Sequence, residues 1–570
     1  MILGLLWMGV ANAAALLGAH EILLRVRPER QPFDAVLFLL LRLLLISVAV
    51  VFAGLTGGLT PWGLGFLGLA GLGFLTVRGA HRRIPRFALP PVGPVLLTLA
   101  GILLLRLAFQ VWFFSPHLLD ALSYHLPKVA EWIRAGAFTR ELGLDSHASF
   151  PAGFELVETW WVVFLRHDVL IEMAGVEFLV LAFAAANSLA QHIGLDRRWA
   201  FFAAILTALT PGLSLQAVSC LNDGPIAALW LATAALTTSR APTLTLLIPI
   251  GLGLGIKPSF AYALPGLALL HHLLRRESPS KATHARELAA LAFTALGVGA
   301  FWYVRNALWF GNPLHPVGSH GLVGEEGNLQ IQFGPRLGSL LGNLSDLADQ
   351  RVYDRESAYG PLLTRIAGWG GVAFSVGAVG LLAELSRSAP LRRLGAAFAL
   401  SLACVLLMVN RDDWSLRHVL FFPALLCLGA AALASRSRTA LGIAAVALAA
   451  QFLGTLLPAS LSPAHFQGLV RQGWRERSVS PVYEAEMSGP SVACLASQHG
   501  ASYLLYGPDF ARPVLYLRVS SARELLETMK RYDVRSLYAA PTLPLQVRIL
   551  EEAVGSGRLI PGGGMIYRLK

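Results

Sequence analysis

The densest group of chemistry-bearing side chains lies in SPHLLDALSYHLPKVAEWIRAGAFTREL, residues 115–142, which holds Asp120, Tyr124, His125, Lys128 and Glu131. An apolar run ends just ahead of it, so these groups stand where the chain leaves an apolar phase. A carboxylate followed one helical turn later by a phenol and an imidazole can take up and hold a proton. That is the chemistry needed to activate a hydroxyl on a substrate anchored beside a membrane. Complementary groups stand singly at the ends of other apolar runs: Asp223 in CLNDGP, Lys257 in GIKPSF, Arg305 and Asn306 in WYVRNALWFGNPLHP, and Arg417 and His418 in RDDWSLRHVLFFP. The segment GLDSHASFPAGFELVETWW adds His147, Glu155 and Glu158, with Trp160 and Trp161 placed as an interfacial aromatic belt.

The elements that must position these residues are transmembrane helices. Of 570 residues, 55% are hydrophobic and 14% charged, with a mean hydropathy of +0.58; a soluble chain this apolar could not cover its core with polar surface. Apolar runs of about 17 to 25 residues, each long enough to cross a bilayer as helix, predict about fourteen spans. They lie near 2–24, 34–56, 59–77, 89–113, 168–190, 199–219, 225–238, 243–256, 259–274, 287–307, 362–385, 394–409, 416–434 and 439–457. The net charge of +12 is no nucleic-acid footprint, because basic residues punctuate alternate connectors: Arg25 and Arg27, Arg82 and Arg83, Arg197 and Arg198, Arg240, Arg275 and Arg276, Arg392 and Arg393, Arg436 and Arg438. The positive-inside rule makes these connectors cytoplasmic. The others, including the long ones at 114–167 and 308–361 and the tail after 458, then lie on the extracytoplasmic face with Asp120.

The first run has neither a basic residue ahead of it nor a small-residue cleavage site, and reads as a retained span. The four cysteines lack CxxC spacing and read as small apolar filler; Cys220 and Cys494, both assigned outside, are the pair that a bridge could join. Within the spans, Arg42, Arg106 and Glu177 fall on different helices and form no chain of polar groups. The tail alternates in type: strands in SVACLAS, SYLLYG, PVLYLRV, VRSLYAAP and GMIYRLK, and helices in SARELLETMKRY and PLQVRILEEAV. The expected architecture is thus an all-α polytopic membrane domain with a C-terminal α/β extracytoplasmic domain at 459–570.

Isolated cations beside isolated carboxylates at outer helix ends are most economically explained by one shared cavity. Transfer of a sugar from a polyprenyl phosphate would need a base for the acceptor hydroxyl and cations for the departing phosphate. Asp120 suits the first task; Lys257, Arg305 and Arg417 suit the second, with Tyr124, His125, Glu155, Asp223, Asn306 and His418 as further substrate-binding candidates. His147 with Asp120 are the candidates for a divalent metal.

Several segments, in order, resemble the GT-C glycosyltransferases related to protein O-mannosyltransferases and lipid A aminoarabinose transferases. They are DALSYHLPK, FPAGFELVETWW, LTALTPGLSLQAVSCLNDGPIAAL, GLGLGIKPSFAYALPGLALL, and WYVRNALWFGNPLHP with LRHVLFFPAL. The resemblance implies a GT-C catalytic domain over 89–458, with 1–88 as extra N-terminal helices. It also implies inverting transfer from a polyprenyl-phosphate-linked donor to a lipid, glycan or protein acceptor, with Asp120 as base and Lys257, Arg305 and Arg417 lining the phosphate and sugar region. Where that family has two adjacent acids, this chain has Asp120 followed by Ala121. The composition is compatible with a bacterial inner membrane. Three other readings compete: a glycan polymerase or ligase using Arg336, Arg351 and Arg355; a lipid or solute transporter, for which neither repeat symmetry nor midplane polar groups are found; and a non-catalytic scaffold with a sensing tail.

Overall fold

The computed structural model describes residues 2–26, 34–80, 93–113, 116, 118–140, 142–143, 145–275, 284–317, 371–409, 415–456, 490–496, 500–507, 509–541, 543–563 and 565–570. The chain is a multi-pass membrane protein, mostly helical, with a small C-terminal sheet. Among the described residues, six helices or helical stretches are long and apolar enough to cross a bilayer: Ile2–Val26, Ala35–Thr56, Pro94–Phe113, Asp168–His192, Ala285–Phe310 and Ala389–Met408. Shorter apolar helices stand between and after them, at Pro61–Val77, Thr243–Ile256, Phe260–Leu274, Val376–Leu385 and Phe422–Arg436.

The helices run in chain order as α1 Ile2–Val26, α2 Ala35–Thr56, α3 Pro61–Val77, α4 Pro94–Phe113, α5 Leu126–Ala135, α6 Gly153–Val163, α7 Met173–His192, α8 Arg197–Ala208 and α9 Pro211–Gln216. They continue as α10 Asp223–Thr238, α11 Thr243–Ile256, α12 Phe260–Arg275, α13 Ala285–Phe310, α14 Gly371–Leu385, α15 Ala389–Met408, α16 Phe422–Arg436 and α17 Arg438–Leu456.

Three local features shape the helix ends. The run expected as one span at 199–219 is broken: Thr210 takes a non-helical ψ of 123°, and Pro211, which cannot donate to the preceding turn, opens the six-residue α9. The segment leading into α5 is a π-helical turn, Ala121–His125. Such turns are rare and recur at functional sites. Asp120 precedes that turn without making a side-chain capping bond, so its carboxylate is not used as a helix cap.

Small residues bring α11 and α13 into backbone contact. A methyl group added at Gly255 would lie 2.7 Å from the Cα of Gly299, and one added at Gly251 would lie 2.6 Å from the Ala295 carbonyl carbon. Close approach of this kind is how membrane helices gain packing without a hydrophobic driving force between them. Elsewhere in the bundle, Trp230 of α10 is fully buried. Its indole donates to the Ala263 carbonyl and the Ser401 hydroxyl, each at 3.2 Å, and stacks on Phe421 at 4.4 Å. One side chain thereby ties α10 to α12, α15 and the start of α16.

The sequence placed Trp160 and Trp161 at a lipid interface, but they belong to the interior. Trp160 is 3% exposed, its indole 3.3 Å from Asn12 Oδ1, and Trp161 donates to Glu177 at 3.0 Å. Arg42 and Glu177 are not isolated either: they form an ion pair at 2.8 Å, and Arg42 also donates to Asn12 at 2.7 Å. An intramembrane charge has to find its opposite, and this pair ties α2 to α7.

The C-terminal strands are β1 Val492–Ala496, β2 Val514–Tyr516, β3 Ser536–Ala540, β4 Leu559–Pro561 and β5 Ile566–Leu569, with α18 Ala522–Arg531 and α19 Pro544–Gly555. The sheet order is β2-β1-β3-β5-β4, parallel from β2 to β3 and antiparallel at β5 and β4. Edge strand β4 was not expected from the sequence. SYLLY, expected as a strand, is a 3₁₀ turn at Ser502–Tyr506 whose Tyr503, Leu505 and Tyr506 are all buried. Cys220 and Cys494 are both buried free thiols, so no bridge joins them. One face of the sheet packs Leu495 and Leu537 with Leu525, Met529 and Ile549 of the two helices. The other face contributes Val492, Cys494, Tyr516, Tyr538 and Ile566 to the same continuous core as the membrane helices.

Candidate active site

At one end of the helix bundle, four segments bring together charges that are far apart in sequence. Asp223 is the first residue of α10, Lys257 caps the C-terminus of α11 in extended conformation, and Arg417 and His418 sit in the 3₁₀ turn Ser415–Val419 before α16. Lys257 Nζ donates to Asp223 Oδ1 at 2.5 Å. Arg417 Nε lies 3.5 Å from Asp223 Oδ2, and His418 Nδ1 lies 3.5 Å from Asp223 Oδ1. The fourth segment is the π-helical turn with Asp120 at its start: Arg417 Nη1 donates to Asp120 Oδ2 at 2.8 Å. Asp223 is 3% exposed, whereas the Asp120 side chain keeps 24% of its surface. The buried acid therefore fixes the cations, and the accessible acid faces whatever enters.

Burial pushes the Asp120 carboxyl up, but the Arg417 charge and hydrogen bond, with His125 and Lys257 behind them, outweigh it and hold it below the usual carboxylate range. Burial lowers the Lys257 ammonium despite the opposing charge of Asp223. The Tyr124 phenol is pushed well up by burial and by the neighbouring Asp120 charge, so it stays protonated and able to donate.

A second ion group lies deeper. Glu155 Oε1 accepts from Lys128 Nζ at 2.5 Å and lies 2.8 Å from His125 Nδ1, with Glu155 and Lys128 at most 1% exposed. Burial alone would raise the Glu155 carboxyl; Lys128 and His125 more than offset this and bring it to about 2. Glu158, one helical turn away, is raised well above the carboxylate range by burial and by Glu155. Burial also lowers Lys128, against the pull of Glu155.

Arg305 and Asn306, near the end of α13, act on backbone. Arg305 Nη2 donates to the Ser149 carbonyl at 2.5 Å and to Asn306 Oδ1 at 2.7 Å, and Asn306 Nδ2 donates to the Ser149 and His315 carbonyls at 2.9 and 3.1 Å. The guanidinium lies over Trp302, 4.9 Å from the ring centroid, and Trp302 in turn stacks on Trp132 of α5 at 5.8 Å. This aromatic column positions α5 against α13.

Between these groups lies a cavity of about 490 Å³. Of the residues singled out in the sequence, Asp120, Tyr124, His125, Lys128, His147, Lys257, Asn306, Arg417 and His418 line it. Asp223, Glu155 and Arg305 are not on its wall; each is bonded to a residue or backbone group that is, or that adjoins it. The sequence reading missed Asn222, Ser259, Tyr262, Tyr303 and His315, which complete the lining with Phe150, Pro151, Ile256, Pro258, Pro313, Leu314 and Val317. Tyr262 could have been found one helical turn beyond Pro258; His315 carried no signal. The wall has two characters, a charged corner where Asp120, Lys257 and Arg417 meet with Asp223 behind them, and a part lined by Tyr124, Phe150, Pro151, Tyr262, Tyr303 and Pro313.

His147 does not join Asp120. Its Nδ1 lies 2.7 Å from Asp145 Oδ1, and its ring lies 5.3 Å from that of Tyr124. Among the described residues no group of three or more His, Cys, Asp or Glu side chains is disposed to hold a metal ion. Arg336, Arg351 and Arg355 lie outside the described residues.

No family model matches this chain, and no curated protein does. Among solved structures it is similar to ArnT from Cupriavidus metallidurans bound to undecaprenyl phosphate, with 13% identity, a TM-score of 0.45, and coverage of 78% of this chain and 89% of that one. It is also similar to the archaeal oligosaccharyltransferase AglB from Archaeoglobus fulgidus in complex with an inhibitory peptide and a dolichol-phosphate, with 13% identity, a TM-score of 0.41, and coverage of 78% and 69%.

Proposed function

We propose that the chain is an integral-membrane, inverting glycosyltransferase that moves a sugar from a polyprenyl-phosphate-linked donor to an acceptor on the extracytoplasmic face. The observation that carries this reading is the single ion network in which Arg417 bridges a buried acid, Asp223, and an accessible one, Asp120, at a cavity wall. The acceptor hydroxyl attacks the anomeric carbon while Asp120 takes its proton. The bond from that carbon to the phosphate oxygen breaks, and its electron pair leaves on the polyprenyl phosphate, which Lys257 and Arg417 hold.

The geometry supplies a reason for the resting state. Paired with Arg417, Asp120 is a weak base; a phosphate that draws an Arg417 N–H to itself raises the basicity of Asp120 as the donor arrives. In this reading the protein has about fourteen spans, a catalytic domain at 89–458 and an extracytoplasmic domain at 459–570 in a bacterial inner membrane. Asp120→Asn is expected to lower transfer by about 10²- to 10⁴-fold, the usual contribution of a positioned base, in membranes supplied with donor and at unchanged protein abundance. Full activity in that variant would remove the base assignment. Mass spectrometry of lipid co-purified with the wild type is expected to find a polyprenyl phosphate.

A further inference from the structure

The C-terminal sheet is built into the wall of the candidate site. The 3₁₀ turn Ser502–Tyr506 packs against the π-helical turn Ala121–His125 and against α5. Its Tyr503 hydroxyl donates to Asp168 Oδ2 at 3.3 Å, just ahead of α7. Strand β2 braces the same turn: the Tyr516 hydroxyl donates to Ser502 Oγ at 3.2 Å and lies 3.2 Å from the Tyr506 hydroxyl. Two residues past β2, Arg518 Nη2 donates to the Gly143 carbonyl at 3.0 Å. Gly143 has φ +96°, and a Cβ there would lie 3.6 Å from the Tyr516 ring. It precedes Asp145–Phe150, which carries His147 and Phe150 onto the cavity wall.

A sheet with one face completed by another part of the chain is not free to move away from it. Were it detached, Val492, Tyr503, Tyr516, Tyr538 and Ile566, all at most 8% exposed, would face water. Yet none of its residues lines the cavity, so any effect on the site passes through the segments it touches.

We propose that the C-terminal sheet is a positioning element of the cavity. Through Ser502–Tyr506 it fixes the π-helical turn bearing Tyr124 and His125, and through Arg518 it fixes the segment bearing His147 and Phe150. The structural half of this proposal is independent of any chemistry; its effect on turnover rests on the transferase reading.

Hydrogen–deuterium exchange on the full-length chain in detergent tests it. In Arg518→Ala, amides in 145–150 are expected to exchange about five- to tenfold faster, as loss of a hydrogen bond of ordinary strength implies, while α1 and α2 are unchanged. Tyr503→Ala, which removes a buried ring from the packed turn, should do the same for 121–125, and Arg518→Lys should restore protection in 145–150. Unchanged exchange in both segments, or loss of protection throughout the bundle in both variants, overturns the proposal. If transfer activity is established, Arg518→Ala should lower kcat with KM for the donor nearly unchanged, because the phosphate-facing cations are untouched. Failure of Asp120→Asn to impair transfer would sink the base assignment and leave the exchange result standing.

Discussion

Glu155 and Lys128 are a buried ion pair with the stakes that burial imposes. Removing one member leaves a charge in an apolar surrounding, typically at a cost of about 3 to 5 kcal/mol. Glu155→Gln is therefore expected to lower thermal stability in detergent markedly, and Glu155→Gln with Lys128→Met to recover much of it. A double variant no better than the single one would mean the pair is not the reason. The pair also sets a pH window. With its folded-state pKa at about 2, below the ordinary carboxylate value of 4.5, Glu155 contributes stability that is full above about pH 4.5 and lost as pH falls toward about 2. Stability measured across that range should fall more steeply in the wild type than in Glu155→Gln. At the charged corner, Lys257→Ala should free Asp223 to compete for Arg417 and weaken binding of the probe undecaprenyl phosphate, read by a titration of the purified protein. Equal affinity in the variant would take Lys257 out of the proposed phosphate site.

Among the elements, α11 and α13 depend on the absence of side chains where they cross. Gly255→Val would put branched carbon where Gly299 now sits, at an overpacking cost of about 1 to 3 kcal/mol, and would tilt α11 so that Lys257 loses its place beside Asp223. Lower melting temperature together with weaker binding of the undecaprenyl phosphate probe is the expected pair of results; binding unaltered at lower stability would uncouple the crossing from the site. Most helices were legible in the sequence because hydropathy and length alone define a membrane helix. What was not legible had a local cause. Pro211 broke a run whose hydropathy was continuous, the π-helical turn has no periodicity of its own, and SYLLY alternates like a strand but folds as a turn that buries its tyrosines. Trp160 and Trp161 have the composition of an interface belt; only the packing of α1 and α7 around them, with Asn12 and Glu177 as partners, makes them interior.

Taken as a whole, the molecule joins its site from helix ends that sequence order cannot bring together. The types of Asp120, Asp223, Lys257 and Arg417 were readable one by one, because charges at the tips of apolar runs stand out. Their pairing was not, since hydrogen bonds between residues 120 and 417, or 223 and 257, depend on how helices pack. The same limit hid the roles of Glu155 and Arg305, which hold Lys128 and the Ser149 backbone and do not line the cavity. It also hid the C-terminal sheet's second face, whose Tyr538 and Ile566 read as the core of a separate domain but belong to a core shared with the membrane helices.

The charged corner joins the N-terminal end of α10, the C-terminal end of α11 and the turn before α16. Its short bonds therefore record the height of three helices relative to one another along the bundle axis. One residue of axial slip moves a helix end by about 1.5 Å, enough to break a 2.5 Å contact such as that between Lys257 and Asp223. Lipids of the wrong thickness press on such heights by fractions of a kcal/mol per Å. In vesicles of phosphatidylcholines with stepped acyl-chain length, binding of the phosphate probe should thus pass through a maximum at one thickness. A flat response would mean that the bundle holds its own register whatever the bilayer. With such a maximum, the corner of four charges acts as a gauge of the membrane in which the protein sits.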